Sequence, residues 1–251
     1  MKCIRLTLYV FCLCFFWNST AFSEPDKLCF AEGEWPPYVS ETLPEKGFAT
    51  AIIRAVVQEM GMEAQLDFYS WERALYLVQK GEVPATYPWI KNDVRGEYAY
   101  FSDPIHKSDE GFYYLKERFP DGVVIHDIED LNAYFLGGIH SYWYLPKLVE
   151  AGLSVDLSYD AERAFVKLGA GRFDLLPVNK LRGTFAIYKK VPLRAKEFGF
   201  TPNPFAEGEM RVMFSKAHPD ALSLMNKFNA ALKRLRENGG YERVLDRFGM
   251  K

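Results

Sequence analysis

Apolar residues along the chain recur with two different periods, and together these predict alternating strands and helices. The segment from Ala64 to Phe68 alternates apolar and polar residues, as a half-buried strand does. From Gly47 to Met60 the apolar residues recur every three or four positions, which indicates an amphipathic helix. The same period predicts helices from about Pro219 to Asn238 and from Tyr241 to Phe248. This alternation is typical of an α/β protein whose parallel sheet is covered by helices on both faces.

One of these units occurs twice, at an offset of 90 residues. The first copy runs from Ser70 through a Glu-Arg-Ala triplet to Gly81, and the second runs from Asp160 through the same triplet to Gly171. Ser70 and Asp160 are predicted to cap a helix by accepting a hydrogen bond from a first-turn N–H group. Each glycine is predicted to end that helix in a left-handed conformation. The repeat predicts two related lobes, with a ligand cleft between them.

The amino terminus has the layout of a secretory signal peptide, assigned to residues 1–23. Lys2 and Arg5 are basic, Leu6 to Trp17 is almost wholly apolar, and Ala21-Phe22-Ser23 provides a cleavage site. A membrane anchor is the alternative, but this 12-residue segment is shorter than the roughly 20 residues that a spanning helix needs. The mature protein is therefore predicted to be soluble and exported to the periplasm.

Charge and motif content weigh against several classes of function. The formal net charge is −2, and loss of the two basic leader residues changes it to about −4, which argues against a nucleic-acid partner. The sequence contains no nucleophile elbow, zinc-protease, Cys-x-x-Cys or phosphate-loop motif. The four histidines do not have metal-ligand spacing. We therefore expect no metal, no cofactor and no enzymatic activity.

Candidate binding chemistry follows the first copy of the repeat. Asn92 or Asp93 can cap a short helical turn, and Arg95 follows three residues after Asn92. An arginine in this place can hold a carboxylate through two parallel hydrogen bonds. A solvated surface arginine is the alternative interpretation.

The motifs around Arg95 resemble those of a known family. Asn92-Asp93-Val94-Arg95 is followed, six residues after the arginine, by Phe101-Ser102-Asp103-Pro104. The chain also contains Gly-Arg-Phe-Asp at Gly171 to Asp174 and Arg-Glu-Asn-Gly-Gly-Tyr at Arg236 to Tyr241. In these features it resembles the family 3 extracellular solute-binding proteins, the periplasmic receptors of polar amino-acid ABC importers. The resemblance covers nearly all of the mature chain.

The resemblance implies a two-lobed α/β fold, the type II periplasmic binding protein fold, which closes like a Venus flytrap. Two crossovers would join the lobes. The first lobe would comprise residues 24–112 plus 209–251, and the second lobe would comprise residues 113–208.

The resemblance also assigns roles to residues of the predicted cleft. Arg95 would grip the ligand's α-carboxylate, aromatic residues of the first lobe would line the pocket, and a second-lobe loop would add contacts. Core packing is the alternative for Trp35 and Trp71, and an ordinary loop histidine is the alternative for His140. The candidate ligand-binding residues are Arg95, Asn92, Ile90, Trp35, Trp71, Trp89, Ile139, His140, Ser141 and Asn179.

Three departures from the family pattern bear on the ligand, and one of them is Asn92 in place of the threonine before the arginine. Asn179 stands where an acidic residue commonly pairs with the ligand's ammonium group, and an amide cannot neutralise a cation. Tyr87-Pro88-Trp89 replaces a small, glycine-rich strand end. These changes favour a carboxylate ligand with an uncharged or aromatic body.

The predicted function is capture of a small carboxylate-bearing solute by a monomeric protein, for an ABC importer permease or a membrane sensor. Two alternatives remain open. One is a periplasmic enzyme of the same fold, of the cyclic-acid dehydratase type, using Glu32, Glu34 and His140. The other is a receptor domain that serves a membrane signalling protein.

Overall fold

The structure, a computed structural model, describes residues 26–140, 142–206 and 208–249. The predicted signal peptide (1–23) and the candidate residue Ser141 lie outside the described residues. The chain has a two-lobed α/β fold, in which one large sheet and two small sheets are each covered by helices.

The first lobe is built on the large sheet. Its elements are, in chain order, β1 (Lys27–Glu32), α1 (Phe48–Glu59), β2 (Glu63–Phe68), α2 (Trp71–Lys80), β3 (Ala85–Ile90), α3 (Asp93–Tyr98), β4 (Ala99–Phe101) and β5 (His106–Lys107). The chain then enters the second lobe with β6 (Gly111–Leu115), β7 (Leu136–Ile139), α4 (Leu145–Glu150), β8 (Val155–Ser158), α5 (Ala161–Gly169), β9 (Leu176–Pro177), α6 (Lys180–Lys190) and β10 (Phe198–Pro202). It returns to the first lobe with β11 (Glu209–Ser215), α7 (Ala221–Glu237) and α8 (Gly240–Arg247). Short 3-10 helices occupy Pro44–Lys46, Glu129–Ala133 and Pro192–Glu197.

The strand order of the large sheet is β2-β1-β3-β11-β4, with β5 beside β11. β1 runs parallel to β2 and β3, as predicted, whereas β11 runs antiparallel to β3, β4 and β5. The predicted parallel arrangement therefore holds for β1, β2 and β3, and β11 makes the sheet mixed. β11 arrives from the second lobe and pairs its first residues with the carboxyl end of β3, where Met210 lies opposite Ile90. This pairing makes β11 antiparallel to β3.

Helices cover both faces of the large sheet, as the sequence predicts. α1 and α7 pack on one face around fully buried side chains such as Phe30, Ile52 and Phe228. α2 packs on the other face, where Ala74 and Leu77 bury Ala31. Burial of this apolar surface is the main stabilising term of the lobe.

The two copies of the repeat form the predicted capped helices. The Ser70 hydroxyl oxygen accepts a hydrogen bond from the N–H of Arg73 at 3.3 Å, and Asp160 accepts one from the N–H of Arg163 at 2.7 Å. Gly81 ends the first helix with a φ of 74°, a left-handed conformation that glycine adopts without steric cost.

The strands that follow the two copies differ in length. β3 is a full central strand, whereas β9 contains only Leu176 and Pro177. Asp174 lies two residues before β9 and is not part of the strand. Its carboxylate accepts a hydrogen bond from the N–H of Phe135 at 2.9 Å and forms an ion pair with Arg118 at 2.7 Å.

Two crossover segments join the lobes, one between β5 and β6 and one between β10 and β11. The segments lie side by side, because the N–H of Ser108 donates to the carbonyl of Gly208 at 2.8 Å and the N–H of Asn203 donates to the carbonyl of Glu110 at 3.0 Å. A Cβ atom on Gly208 would stand 2.0 Å from the Ser108 carbonyl oxygen. Only glycine fits this contact.

Candidate functional site

The loop after β1 forms hydrogen bonds that reach across to the second lobe. The rings of Trp35 and Tyr38 are stacked with their centroids 4.4 Å apart. The indole N–H of Trp35 donates to the Tyr142 hydroxyl at 3.1 Å, and the Tyr38 hydroxyl donates to the amide oxygen of Asn179 at 3.2 Å. The cleft is therefore closed at this point by bonds between the protein's own side chains. Trp35 is also partly buried against the first-lobe core.

Arg95 lies at the carboxyl end of β3, where α3 begins. The Asn92 side chain caps α3 by accepting a hydrogen bond from the N–H of Arg95 at 2.9 Å, as predicted. The guanidinium of Arg95 donates to the carbonyl of Ile90 at 2.9 Å and covers the Trp89 ring, 4.5 Å from its centroid. Burial lowers the pKa of Arg95. Arg95 forms no ion pair with any residue that the structure describes.

Two tryptophans form an aromatic surface beside Arg95. Trp89 and Trp71 meet edge to face with their ring centroids 5.0 Å apart. The Trp71 indole N–H donates to the carbonyl of Glu34 at 3.2 Å, which places it next to the loop that carries Trp35. The fold therefore brings Trp71 of α2 beside the segment that carries four other candidates: Trp89, Ile90, Asn92 and Arg95.

Asn179 caps α6 from the second lobe. Its amide oxygen accepts hydrogen bonds from the N–H of Arg182 at 2.8 Å and from the Tyr38 hydroxyl at 3.2 Å. These bonds use both lone pairs of the oxygen, and only 2% of the residue is exposed. Asn179 thus positions α6 and closes the cleft, and its oxygen has no remaining acceptor site for a ligand.

The other second-lobe candidates are less involved in the cleft. Ile139 packs its side chain in the second-lobe core. His140 is exposed, and its backbone N–H donates to the carbonyl of Ser158 at 3.0 Å. No hydrogen bond or ring contact joins either side chain to the described part of the first lobe.

The sequence analysis missed a buried arginine in the second lobe. Arg182 follows Asn179 on α6, and its Nη2 pairs with Glu162 at 2.7 Å. Its Nε and Nη1 atoms are buried, and its guanidinium lies within hydrogen-bond range of the Tyr142 hydroxyl. The signal was present in the sequence, since Asn179-x-x-Arg182 repeats the spacing of Asn92-x-x-Arg95.

Two titratable groups with shifted pKa values lie at the crossover between β5 and β6. Burial raises the pKa of Glu110 to about 7, although a hydrogen bond from Ser108 opposes the rise and Asp109 adds to it. Burial lowers the pKa of His106 to about 4. The Glu110 carboxyl interacts electrostatically with Tyr38, and also with Tyr142 and Tyr144 of the second lobe.

The residues of the enzyme alternative do not form one constellation. Glu32 is fully buried, one carboxylate oxygen accepts from the N–H of Tyr87 at 3.1 Å, and burial raises its pKa well above the usual range. Glu34 is exposed and accepts from the N–H of Glu41 at 2.6 Å. His140 is also exposed, and no hydrogen bond between described atoms joins any two of these three side chains.

Neither a metal site nor a membrane span is found in the described part of the chain. No group of three or more histidine, cysteine, aspartate or glutamate residues there could hold a metal ion. No helix there has both the length and the apolar character needed to cross a membrane.

Comparison with known proteins places this two-lobed fold and its cleft in the class of solute-binding proteins. The model of the bacterial extracellular solute-binding proteins, family 3, matches residues 29–251, and the chain belongs to this family. The chain matches no curated protein in sequence.

Similar solved structures include receptors with different roles. A histidine kinase sensor domain with similarity to periplasmic binding proteins has a TM-score of 0.72 and 19% identity, covering 89% of this chain and 96% of that one. The GluR0 ligand-binding core from Nostoc punctiforme, in complex with L-glutamate, has a TM-score of 0.71 and 21% identity, covering 89% and 100%. An ancestral arginine-binding protein bound to glutamine has a TM-score of 0.68 and 18% identity, covering 91% and 100%. At these identities the likeness shows the fold alone.

Proposed function

We propose that this protein captures a small carboxylate-bearing solute between its two lobes and presents it to an ABC importer permease or a membrane sensor. The observation that carries the proposal is the guanidinium of Arg95, which is partly buried and has no carboxylate partner among the described residues.

Removing a cation even partly from water is energetically unfavourable when no counter-ion is present. Moving a charge out of water costs several kcal/mol, as an order of magnitude, unless an opposite charge or hydrogen bonds compensate. Among the described residues, the Ile90 carbonyl, the Trp89 ring and the nearby Tyr98 provide partial compensation for the Arg95 charge. A ligand carboxylate would supply the missing charge and accept two parallel hydrogen bonds.

The neighbouring aromatic side chains suit the rest of such a solute. Trp71 and Trp89 extend the wall from Arg95, and Trp35 lies on the loop to which Trp71 is bonded. Flat aromatic faces pack against apolar or aromatic groups without requiring charge. This supports a carboxylate ligand with an uncharged body. An α-amino acid fits less well, because Asn179 carries no negative charge to pair with its ammonium group.

The mechanism would be closure of the second lobe (113–208) over a solute docked on the first lobe (24–112 plus 209–251). The two crossover segments would act as the hinge. The bonds from Trp35 to Tyr142 and from Tyr38 to Asn179 are those that closure would form. A ligand favours closure only to the extent that it binds the closed state more tightly.

Family membership supports an extracytoplasmic location, with residues 1–23 as a signal peptide that is removed on export. The partner would be a permease or a sensor. The similar structures include both an amino-acid-binding protein and a sensor domain, which supports keeping both partners open. We propose that the protein acts as a monomer and binds its solute without chemical change.

A thermal-shift screen against acids tests the proposal. The wild type should be stabilised by at least one of a panel of amino acids, dicarboxylates and aromatic acids, and the uncharged amides of the same compounds should have no effect. Arg95→Gln should abolish the shift, whereas Arg73→Gln, an exposed arginine of α2, should not. Stabilisation that persists in Arg95→Gln, or that the amides reproduce, would contradict the proposal.

A further inference from the structure

We propose that the hinge responds to protons, because protonated Glu110 fastens the two crossover segments in the closed arrangement and loss of its proton favours opening. This inference rests on the lobe closure of the proposed function and adds to it a means of regulation. Neither Arg95 nor a solute takes part, so the protein without a ligand should show the effect.

The first observation is a row of three polar groups that runs across the hinge. The Ser108 hydroxyl lies within hydrogen-bond distance of a carboxyl oxygen of Glu110, and 3.3 Å from the carbonyl oxygen of Gly208. Ser108 and Glu110 belong to the crossover segment between β5 and β6, whereas Gly208 belongs to the segment between β10 and β11. The Ser108 hydroxyl therefore stands between acceptors on both crossover segments.

The number of protons decides which bonds this row can form. A hydroxyl donates one hydrogen bond, whereas a carbonyl or an ionised carboxylate can only accept. With Glu110 ionised, the single Ser108 proton must be shared between two acceptors. With Glu110 protonated, its O–H donates to the Ser108 oxygen, and the Ser108 proton is free to bond the Gly208 carbonyl. Only the protonated form therefore supplies one donor for each contact.

The second observation is that both lobes cover the Glu110 carboxyl. It interacts electrostatically with Tyr38 of the first lobe and with Tyr142 and Tyr144 of the second lobe. Tyr38 and Tyr142 also form the hydrogen bonds that close the cleft, so opening withdraws this cover from the carboxyl. Water then solvates the carboxyl and stabilises its ionised form.

The titratable groups beside Glu110 do not favour its ionised form in the closed protein. Burial raises the pKa of Glu110 to about 7, the Ser108 hydrogen bond opposes the rise, and the negative charge of Asp109 adds to it. His106 on β5 supplies no positive charge near neutral pH, because burial lowers its pKa to about 4.

Basic side chains of the flanking elements have other partners. Lys180 of α6 lies over the Phe200 ring, Arg182 of α6 pairs with Glu162, and Arg211 of β11 pairs with Glu209. Lys107 at the end of β5 is exposed, and the stretch from Asn203 to Gly208 contains no basic residue. Within the part of the chain that the structure describes, Glu110 forms no ion pair.

The closed form should therefore hold the Glu110 proton more tightly than the open form does. A proton that binds one state more tightly shifts the population toward that state as the pH falls. If opening returns the carboxyl to its ordinary pKa of 4.5, the ratio of closed to open protein rises roughly tenfold from pH 8 to pH 6. Binding of a solute that requires closure would strengthen by the same factor.

Small-angle scattering of the full chain without ligand, at pH 6 and pH 8 and constant ionic strength, tests this inference. The radius of gyration of the wild type should be larger at pH 8. Glu110→Gln cannot ionise and its amide can donate to Ser108, so its radius should stay at the smaller value at both pH values. Glu72→Gln, which changes an exposed glutamate of α2, is the control and should respond as the wild type does.

Ser108→Ala tests the row of hydrogen bonds separately from the charge. It removes the hydroxyl between Glu110 and Gly208, so protonation can no longer fasten the segments. Its radius of gyration at pH 6 should therefore exceed that of the wild type at the same pH. An unchanged radius at pH 6 would show that the row does not hold the hinge closed.

A wild type that is closed at both pH values is tested again in Tyr38→Phe, which lacks one of the closing hydrogen bonds. A radius that is independent of pH in both proteins, or a pH response that Glu110→Gln retains in full, would overturn the inference. Acid binding that depends on Arg95 would still leave the proposed function standing. Conversely, failure of every acid to bind would overturn the proposed function without abolishing the pH response of the free protein.

Discussion

Arg95 and Arg182 occupy the same position in two helices from different lobes. Each is the third residue of its helix, and its backbone N–H donates to the side-chain oxygen of the asparagine that caps the helix, at 2.9 Å for Arg95 and 2.8 Å for Arg182. The guanidinium groups differ in their partners, since Arg95 covers Trp89 and Arg182 pairs with Glu162. Local sequence therefore places one cation in the first turn of a helix in each lobe.

The cap of α3 should be needed to position Arg95. Asn92→Ala removes the acceptor of the Arg95 N–H group and should cost about 1 kcal/mol in the free energy of unfolding, together with a loss of acid affinity. Asn92→Ser keeps a capping oxygen and should restore both. Urea denaturation and calorimetric titration measure the two quantities. Full acid affinity in Asn92→Ala would show that Arg95 is positioned without the cap.

The hydroxyl of Tyr38 should favour the closed arrangement of the lobes. Tyr38→Phe removes its bond to Asn179 but keeps the ring stacked on Trp35, so the closed form should lose about 1 kcal/mol relative to the open form. Small-angle scattering without ligand should show a larger radius of gyration for the variant than for the wild type. Tyr76→Phe, an exposed tyrosine of α2, provides the control. An identical scattering profile for Tyr38→Phe would contradict this role.

Glu110 should make stability decrease with rising pH. Its carboxyl pKa is about 7 in the folded protein against an ordinary 4.5, so the folded state holds this proton more tightly. Its contribution is complete below pH 4.5 and is lost as the pH rises through 7, which amounts to about 3 kcal/mol. His106 has a pKa of about 4 in the folded protein against an ordinary 6.5, so it makes stability increase with pH between those values. The effects of Glu110 and His106 on stability therefore oppose one another below pH 6.5.

The window from pH 6.5 to about pH 8 therefore isolates Glu110 from His106. The free energy of unfolding of the wild type should decrease across this window. That of Glu110→Gln should decrease less, because glutamine cannot ionise. Urea denaturation at several pH values gives both curves. Parallel curves for the two proteins would show that another group controls the pH dependence.

Gly208 should be intolerant of any side chain. The Cβ of Gly208→Ala would collide with the Ser108 carbonyl and disrupt the bond between the crossover segments, which should cost about 1–3 kcal/mol of stability. Gly96→Ala is the matched control, because a Cβ there meets nothing within 4 Å and the residue lies within α3. In thermal melts, Gly208→Ala should have a lower melting temperature than the wild type, and Gly96→Ala should have an equal or higher one.

Features set by local sequence were predicted correctly. Ser70, Asp160 and Asn92 cap helices because capping depends on the few residues that follow in the chain. Family membership and the two-lobed α/β fold could likewise be predicted, since repeats and motifs are visible in the sequence.

Features that depend on distant parts of the chain were not predicted. The direction of β11 follows from its entry out of the second lobe, and no pattern within the strand encodes that. Tyr38 and Tyr142 become cleft residues only when loops more than 100 residues apart meet. The burial of Arg182 depends equally on Glu162 from another helix, although its spacing from Asn179 was visible.

The hydrogen bond between Ser108 and Gly208 has a mechanical consequence. A single flexible connection between two lobes permits rotation about several axes. Two crossover segments that are hydrogen-bonded side by side bend readily in only one direction. We therefore expect the lobes to swing as a clamshell along one coordinate, with little twist. A partner protein would then need to sense only one angle to distinguish a loaded receptor from an empty one.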